Sequence, residues 1–226
     1  MMLNGFNLDE KQSRQFAEYY DFLVAENKKY NLTAITEEAQ VYGKHFYDSL
    51  AAMFFIDFSK IEKLCDIGSG GGFPAIPLKI AFPHLRLSLI EPTKKKIGFL
   101  RELCALLKLT GVEFINERAE DHVRKRREYY GMITARAVAA LPVLLELALP
   151  LLKVGGVFIA YKGSNYEEEI KASDNALKTL SAVIEDAYEY QLPDDLGRRA
   201  IIKVKKLKKT DRAYPRHYAQ IKKKSL

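Results

Sequence analysis

The stretch Lys63-Leu64-Cys65-Asp66-Ile67-Gly68-Ser69-Gly70-Gly71-Gly72-Phe73-Pro74 reads as a short apolar strand running into a glycine loop and then a helix start. The glycines clear side chains from the turn, so backbone N–H groups can approach a ligand, and the helix N-terminus behind them favours electron-rich atoms. The loop therefore cradles a nucleotide-like ligand; a purely structural turn is the alternative. The dinucleotide fingerprint asks for Gly or Ala at its sixth place, for close helix packing. Phe73 stands there and disfavours a dinucleotide. Gly70→Val is expected to block binding by filling the turn.

Outward from the loop, strand and helix signals alternate, the mark of an α/β fold with a parallel sheet. A helix over 73–81 carries Pro74 and Pro77 in its first turn, where a missing N–H costs little. Strand 86–90 ends at Glu91, about twenty residues past the loop, where an acid accepts hydrogen bonds from ribose hydroxyls. The next helix starts at Thr93 with Lys94, Lys95 and Lys96 crowded at its positive end, unfavourable by about 0.3–1 kcal/mol each unless an external anion or solvent compensates. Strand 112–115 leads to Ala119 and Glu120, placed at the crevice edge to meet an adenine by backbone N–H and carboxylate. Strand 130–134 carries Arg136 beyond its end, helix 141–152 follows, and strand 157–161 ends at Lys162. Helix 167–180, strands 183–190 and 199–207, and an irregular basic tail from Asp211 complete the chain.

Before the loop, Phe16, Tyr19, Tyr20 and Leu23 form an aromatic stripe on a helix over 8–29. A second helical stretch runs from Thr36 toward Phe58 and places His45 and Asp48 on one face. With no further ligand at metal spacing, a structural hydrogen bond is the expected role of that pair. The divisions expected are a helical extension over 1–58, a ligand-binding domain over 59–209 and a basic tail over 210–226.

At 226 residues the chain suits one domain plus an extension, with a core that needs no disulfide. Cys65 and Cys104 lack paired spacing and read as buried hydrophobes in a reducing compartment. The longest apolar run, 137–152, is interrupted by Pro142, Glu146 and Pro150, and the first residues lack an apolar leader, so a soluble cytoplasmic protein is expected. The net charge of +7 is uneven: residues 198–226 carry +11 and the first 197 residues −4. A mildly acidic body with a basic end suits a polyanionic partner, unless the run is only a solvated face.

Asp66-x-Gly68-x-Gly70-x-Gly72 is the spacing typical of S-adenosylmethionine-dependent methyltransferases. Together with Asn31-Leu32-Thr33-Ala34-Ile35, His45-x-x-Asp48-Ser49, Lys95-Lys96, Ala119-Glu120, Arg136-Ala137, Lys162-Gly163 and Tyr214-Pro215-Arg216, it resembles the glucose-inhibited division protein B family, the small-subunit ribosomal RNA guanine-7-methyltransferases, over nearly the whole chain. Ala75 departs from the family's usual Gly. The resemblance implies a doubly wound, seven-stranded, Rossmann-like class I methyltransferase fold with a helical N-terminal extension. It implies S-adenosylmethionine as cofactor, with Gly68, Phe73, Ala119, Glu120 and Arg136 at the family's cofactor positions beside Gly70 and Glu91. It implies 16S ribosomal RNA or the small subunit as partner, no metal, no membrane and a monomer. The 7-position of guanine carries a lone pair and no proton, so no general base is required; Arg136 and Lys162 are the positioning candidates. Lys95, Lys96, Lys162, Arg199, Arg212 and Arg216 are the candidate RNA contacts. A small-molecule or protein methyltransferase, and a non-catalytic RNA-binding module on the same fold, are the alternatives.

If the basic end grips single-stranded RNA, log K falls by roughly 0.7 per phosphate contact per tenfold rise in salt. Truncation after Lys209 is then expected to weaken RNA binding and flatten the slope without changing affinity for S-adenosylmethionine, as read from RNA titrations across a salt series.

Overall fold

The computed structural model describes Leu3 and residues 5–226. Met1, Met2 and Asn4, in the expected extension, lie outside the described residues. Seven strands form one sheet: β1 (Lys63–Ile67), β2 (Arg86–Ile90), β3 (Val112–Ile115), β4 (Tyr130–Arg136), β5 (Leu152–Lys162), β6 (Ala182–Gln191) and β7 (Arg198–Lys206), in the order β3-β2-β1-β4-β5-β7-β6. β1 to β5 are parallel, and β7 lies antiparallel between β5 and β6. The strand order turns back between β1 and β4, and their carboxyl ends open the crevice where such sheets bind ligands.

The two faces of the sheet are covered by different helices. On one face α1 (Glu10–Tyr30) lays Phe16, Tyr19 and Leu23 against Leu64, Leu87 and Met132. A capping box of Asp9 and Gln12 starts α1. The Gln12 and Gln15 amides then donate to the Ile80 and Leu107 carbonyls, which lack helical partners at the ends of neighbouring helices. After α1 come α2 (Glu38–Val41), a π-helical turn Tyr42–Tyr47, α3 (Asp48–Leu50) and a 3-10 turn Ala51–Phe54. The single helix expected here is thus broken, and the Lys44 and His45 carbonyls accept from Arg136 instead. That same face takes α4 (Ala75–Ala81) and α5 (Lys94–Leu106), while the other takes α6 (Ala119–Arg126) and α7 (Leu141–Ala148).

Other boundaries also move for local reasons. Pro150 cannot continue a helix, so α7 stops at Ala148 and β5 begins at Leu152. The helix expected over 167–180 is two, α8 (Tyr166–Lys171) and α9 (Asp174–Thr179), with Ser173 Oγ donating to the Glu169 carbonyl at the break.

The expectation of an irregular tail is corrected by α10 (Tyr218–Lys223), which buries Ile221 against the α7 face. Glu146 on α7 is fully buried and would be intolerable alone. Arg216 brackets it, Nε 2.9 Å from Oε1 and Nη2 2.6 Å from Oε2, with its backbone N–H donating at 2.8 Å. Arg127 donates to the Thr210 and Tyr214 carbonyls and fixes the segment between. Arg216→Ala is expected to cost about 3 kcal/mol by stranding Glu146. Urea unfolding of that variant and of the double variant Arg216→Ala with Glu146→Leu should show most of the loss recovered in the second.

Candidate active site

The glycine loop is held by its backbone. Gly68 and Ser69 N–H groups donate to the Ile90 carbonyl at 2.8 and 3.2 Å, tying the end of β1 to the end of β2. Glu91, 4% exposed, accepts from Gly70 N–H at 3.0 Å and from Thr93 N–H at 2.8 Å. Gly68, Gly70 and Gly72 all have positive φ, at 72°, 52° and 100°. A Cβ on Gly68 would lie 2.5 Å from Val138 Cγ2, and one on Gly72 would lie 2.6 Å from Tyr19 Oη. At Gly70 the nearest atom is the Gly68 carbonyl oxygen, 3.7 Å away. Crowding therefore bars side chains at 68 and 72, and at 70 the restriction is the left-handed backbone, which a β-branched residue adopts poorly.

On the α6–α7 side of the loop lies a crevice of about 310 Å³. Ile67, Ile90, Val138 and Leu147 supply apolar walls, Glu91 an acid, and Ala119 and Glu120 the opening turn of α6. Burial raises the Glu120 pKa above its ordinary value. Lys96, Arg118 and Tyr218 also line the crevice, with the Arg118 guanidinium 5.2 Å from the Tyr218 ring centroid. Tyr218 belongs to α10, so the tail borders this crevice rather than lying remote from it. Truncation after Lys209, expected from the sequence to spare ligand affinity, would instead remove this wall and leave buried Glu146 without Arg216.

Arg136 faces the other way. Strand alternation puts it on the face of Met132 and Thr134, under the N-terminal helices. Its Nη1 is 2.7 Å from Asp48 Oδ2, and its guanidinium stacks 4.9 Å over Phe73. Tyr190 Oη donates to Asp48 Oδ1 at 2.6 Å, and Arg199 Nε stands 3.9 Å from the same oxygen. His45 stacks on Phe73 at 4.6 Å and bonds Thr33 Oγ1 through Nε2 at 2.8 Å. Burial, helped by Arg136, lowers the His45 pKa to about 3, so the ring is neutral. The Phe73 side chain thus lies among Tyr19, His45 and Arg136, outside the crevice lining.

Beside this cluster opens a cleft of about 710 Å³ that includes Asp48, Arg136, Lys162, Glu169 and Arg199. Ala137 and Val138 line both the cleft and the crevice, so the two spaces meet across one stretch of backbone. Lys162, 7% exposed, donates to the Ala139 carbonyl at 2.8 Å and pairs with Glu169 at 2.6 Å.

The sequence-selected residues fall into separate groups. Gly68, Glu91, Lys96, Ala119 and Glu120 border the crevice, with Gly70 tied to Glu91; Arg136, Lys162 and Arg199 border the cleft. Lys95 and Arg212 are exposed, and Arg216 lies in the tail's ion pair. Among the described residues no group of three metal-binding side chains occurs, and no helix is long and apolar enough to cross a membrane.

Residues 12–194 match the family described as rRNA small subunit methyltransferase G. The chain belongs to that family. It is 47% identical to ribosomal RNA small subunit methyltransferase G of Bacillus licheniformis and 44% identical to that of Bacillus subtilis, in each case over 94% of this chain and 90% of the relative. Among solved structures it is similar to the O-methyltransferase from Bacillus cereus in complex with SAH, with TM-score 0.58, 18% identity and coverage of 83% of this chain and 90% of that one. M. jannaschii TYW2 in complex with AdoMet gives TM-score 0.57 and 18% identity over 72% of this chain and 76% of that one. These likenesses establish the α/β, Rossmann-like methyltransferase fold.

Besides Arg118, Tyr190 and Tyr218, the sequence left Glu169 and Asp66 of this member of the family without a role. Glu169 gave no signal beyond an acidic helix start. Asp66 belongs to the glycine motif, but its chemistry depends on burial. Its Oδ1 accepts from Thr134 Oγ1 at 2.7 Å, its Oδ2 has no partner, and burial pushes its pKa up to about 7. Because the folded value is raised, Asp66 favours the folded state most below the unfolded carboxyl range near about pH 4, and that contribution is lost as pH rises through about 7. Relative to Asp66→Asn, the parent is expected to lose roughly 1 kcal/mol of stability per pH unit between about pH 5 and 7, levelling off above. Parallel pH profiles in urea unfolding would place an ordinary carboxylate at Asp66.

Proposed function

We propose that this chain transfers a methyl group from S-adenosylmethionine to the 7-position of a guanine in small-subunit (16S) ribosomal RNA. The observation that carries the reading is the junction at Ala137 and Val138, where a crevice suited to the donor meets a larger cationic cleft suited to a base. Membership in the family of small-subunit RNA methyltransferases supports the substrate class.

The crevice fits the donor by its own chemistry. Apolar Ile67, Ile90 and Val138 suit an adenine, and a Cβ at Gly68 would strike Val138. Glu91 retains lone pairs for ribose hydroxyls after accepting two loop N–H groups, and Ala119 and Glu120 stand where the adenine edge would be met. When bound, S-adenosylmethionine supplies an electrophilic methyl on a sulfonium, departing as a neutral thioether while the positive charge passes to the methylated purine.

The protein's task is then alignment and exclusion of water. No group needs to remove a proton from the guanine 7-position, and the neutral His45 has both ring nitrogens engaged, by Thr33 and by the Lys44 carbonyl. Arg136, clamped by Asp48 and stacked on Phe73, holds the cleft wall against the N-terminal helices. Lys95, Lys96, Arg199 and Arg212 meet phosphates, while Arg216 serves by seating the tail beside the crevice. The protein acts as a cytoplasmic monomer, with its domain divided from its N-terminal extension near residue 58 and from its tail near residue 210.

Mass mapping of ribosomal RNA from cells with and without the protein tests the reaction; an unchanged small-subunit guanine overturns it. Glu91→Ala is expected to lower S-adenosylmethionine affinity about tenfold or more, since a hydrogen bond to a charged group contributes about 1.5–3 kcal/mol. Calorimetry with chelator present should record that loss, with binding of the parent unaffected by the chelator.

A further inference from the structure

The cleft contains one ion pair whose hydrogen-bonding capacity is only partly used. Lys162 ends β5, and its ammonium, nearly excluded from solvent, spends one donor on the Ala139 carbonyl while facing Glu169 Oε2. An ammonium has three donors, so at least one remains. Glu169 on α8 is anchored through the same Oε2, which also accepts from the Leu141 N–H at 2.6 Å. Its other oxygen, Oε1, accepts nothing among the described residues, and the side chain is 28% exposed in the cleft. A fixed donor and a fixed free acceptor therefore stand side by side, next to the backbone that separates cleft from crevice.

We infer that Lys162 and Glu169 together select guanine by its Watson–Crick edge, with Lys162 Nζ donating to O6 and Glu169 Oε1 accepting from the ring N1–H and the 2-amino group. Enzymes that act on a base commonly take it out of the stack and read that edge in a pocket. The inference rests on the proposed guanine methylation and assigns its specificity. Guanine presents an acceptor beside donors and matches the pair. Adenine presents the reverse order, an amino donor toward the ammonium and a bare nitrogen toward the carboxylate, and both contacts fail.

The arrangement also respects the chemistry. The commonest guanine reader, an arginine forked over O6 and N7, would occupy the lone pair that must attack the methyl group. Arg136 is already spent on Asp48 and on the Lys44 and His45 carbonyls. A lysine reaching O6 alone, with a carboxylate beyond it, grips the far edge of the six-membered ring and leaves the 7-position free.

The test uses full-length protein and small subunits from cells lacking it, reconstituted with guanine or hypoxanthine at the target position. Hypoxanthine keeps O6 and N1–H and lacks the 2-amino group. For the parent, kcat/KM is expected to fall about tenfold or more with hypoxanthine, as a site built to bond a polar group rejects an analogue lacking it. Glu169→Gln retains an oxygen for the Leu141 N–H but puts an amide donor or a weaker acceptor before the base. It is expected to lower kcat/KM on guanine about tenfold or more and to bring the two bases within about threefold. S-adenosylmethionine affinity, measured by calorimetry, should stay at the parent value, since Glu169 lies outside the crevice. A variant that keeps the parent's preference for guanine, or a parent that treats both bases alike, overturns the assignment. A parent that methylates no guanine of the small subunit overturns instead the function on which the assignment rests.

Discussion

A guanidinium buried at the end of a strand must be neutralised where it lies, and the pairing of Arg136 with Asp48 meets that demand across 88 positions of chain. Removing either partner would strand a charge in a site nearly closed to solvent. The pair joins the N-terminal helical layer to the carboxyl edge of the sheet. The π-helical turn at Tyr42–Tyr47 presents the Lys44 and His45 carbonyls to the same guanidinium, and Phe73 and His45 stack beneath and beside it. The cleft wall, the aromatic packing under the glycine loop and the placement of Tyr190 all follow from that one neutralisation.

The glycine loop is organised on a similar principle, with a buried acid serving backbone donors. Glu91 joins the loop to the start of α5 by taking N–H groups from Gly70 and Thr93. Its side chain therefore shapes the crevice before any ligand enters, and a substitution there acts on the loop itself. Gly72 binds the loop to the N-terminal layer by permitting Tyr19 to approach, and Tyr19 Oη donates to the Gly71 carbonyl at 2.5 Å. The helical extension is thus part of the site and not an appendage beside it.

The basic end divides in the same way between holding and reaching. Arg216 is consumed in seating the tail against α7 and Lys206 is buried against Glu128, whereas Arg212 and the lysines of α10 stay exposed. A run of like charge in the sequence is therefore two populations in space, separated by whether a buried acceptor such as Glu146 lies within reach.

The sequence by itself determined the alternating α/β order, the positions of the strands apart from the first half of β5, the glycine loop and the acid that follows it. Those features are set by local rules: continuous apolar runs in parallel strands covered on both faces, backbone freedom at glycine, and the length of a βαβ unit. Only the tertiary structure decided that Phe73 and Arg136 face the N-terminal helices, that Tyr218 borders the crevice, and that Arg216 answers Glu146 70 positions away. Residues 162 and 169 are near in sequence, yet their pairing also depends on the fold, because the Ala139 carbonyl and Leu141 N–H that orient them come from the segment after β4. The physical reason is common to all of these. A buried charge is placed by whichever partner the packing brings within about 3 Å, and that partner's distance along the chain carries no information about its distance in space.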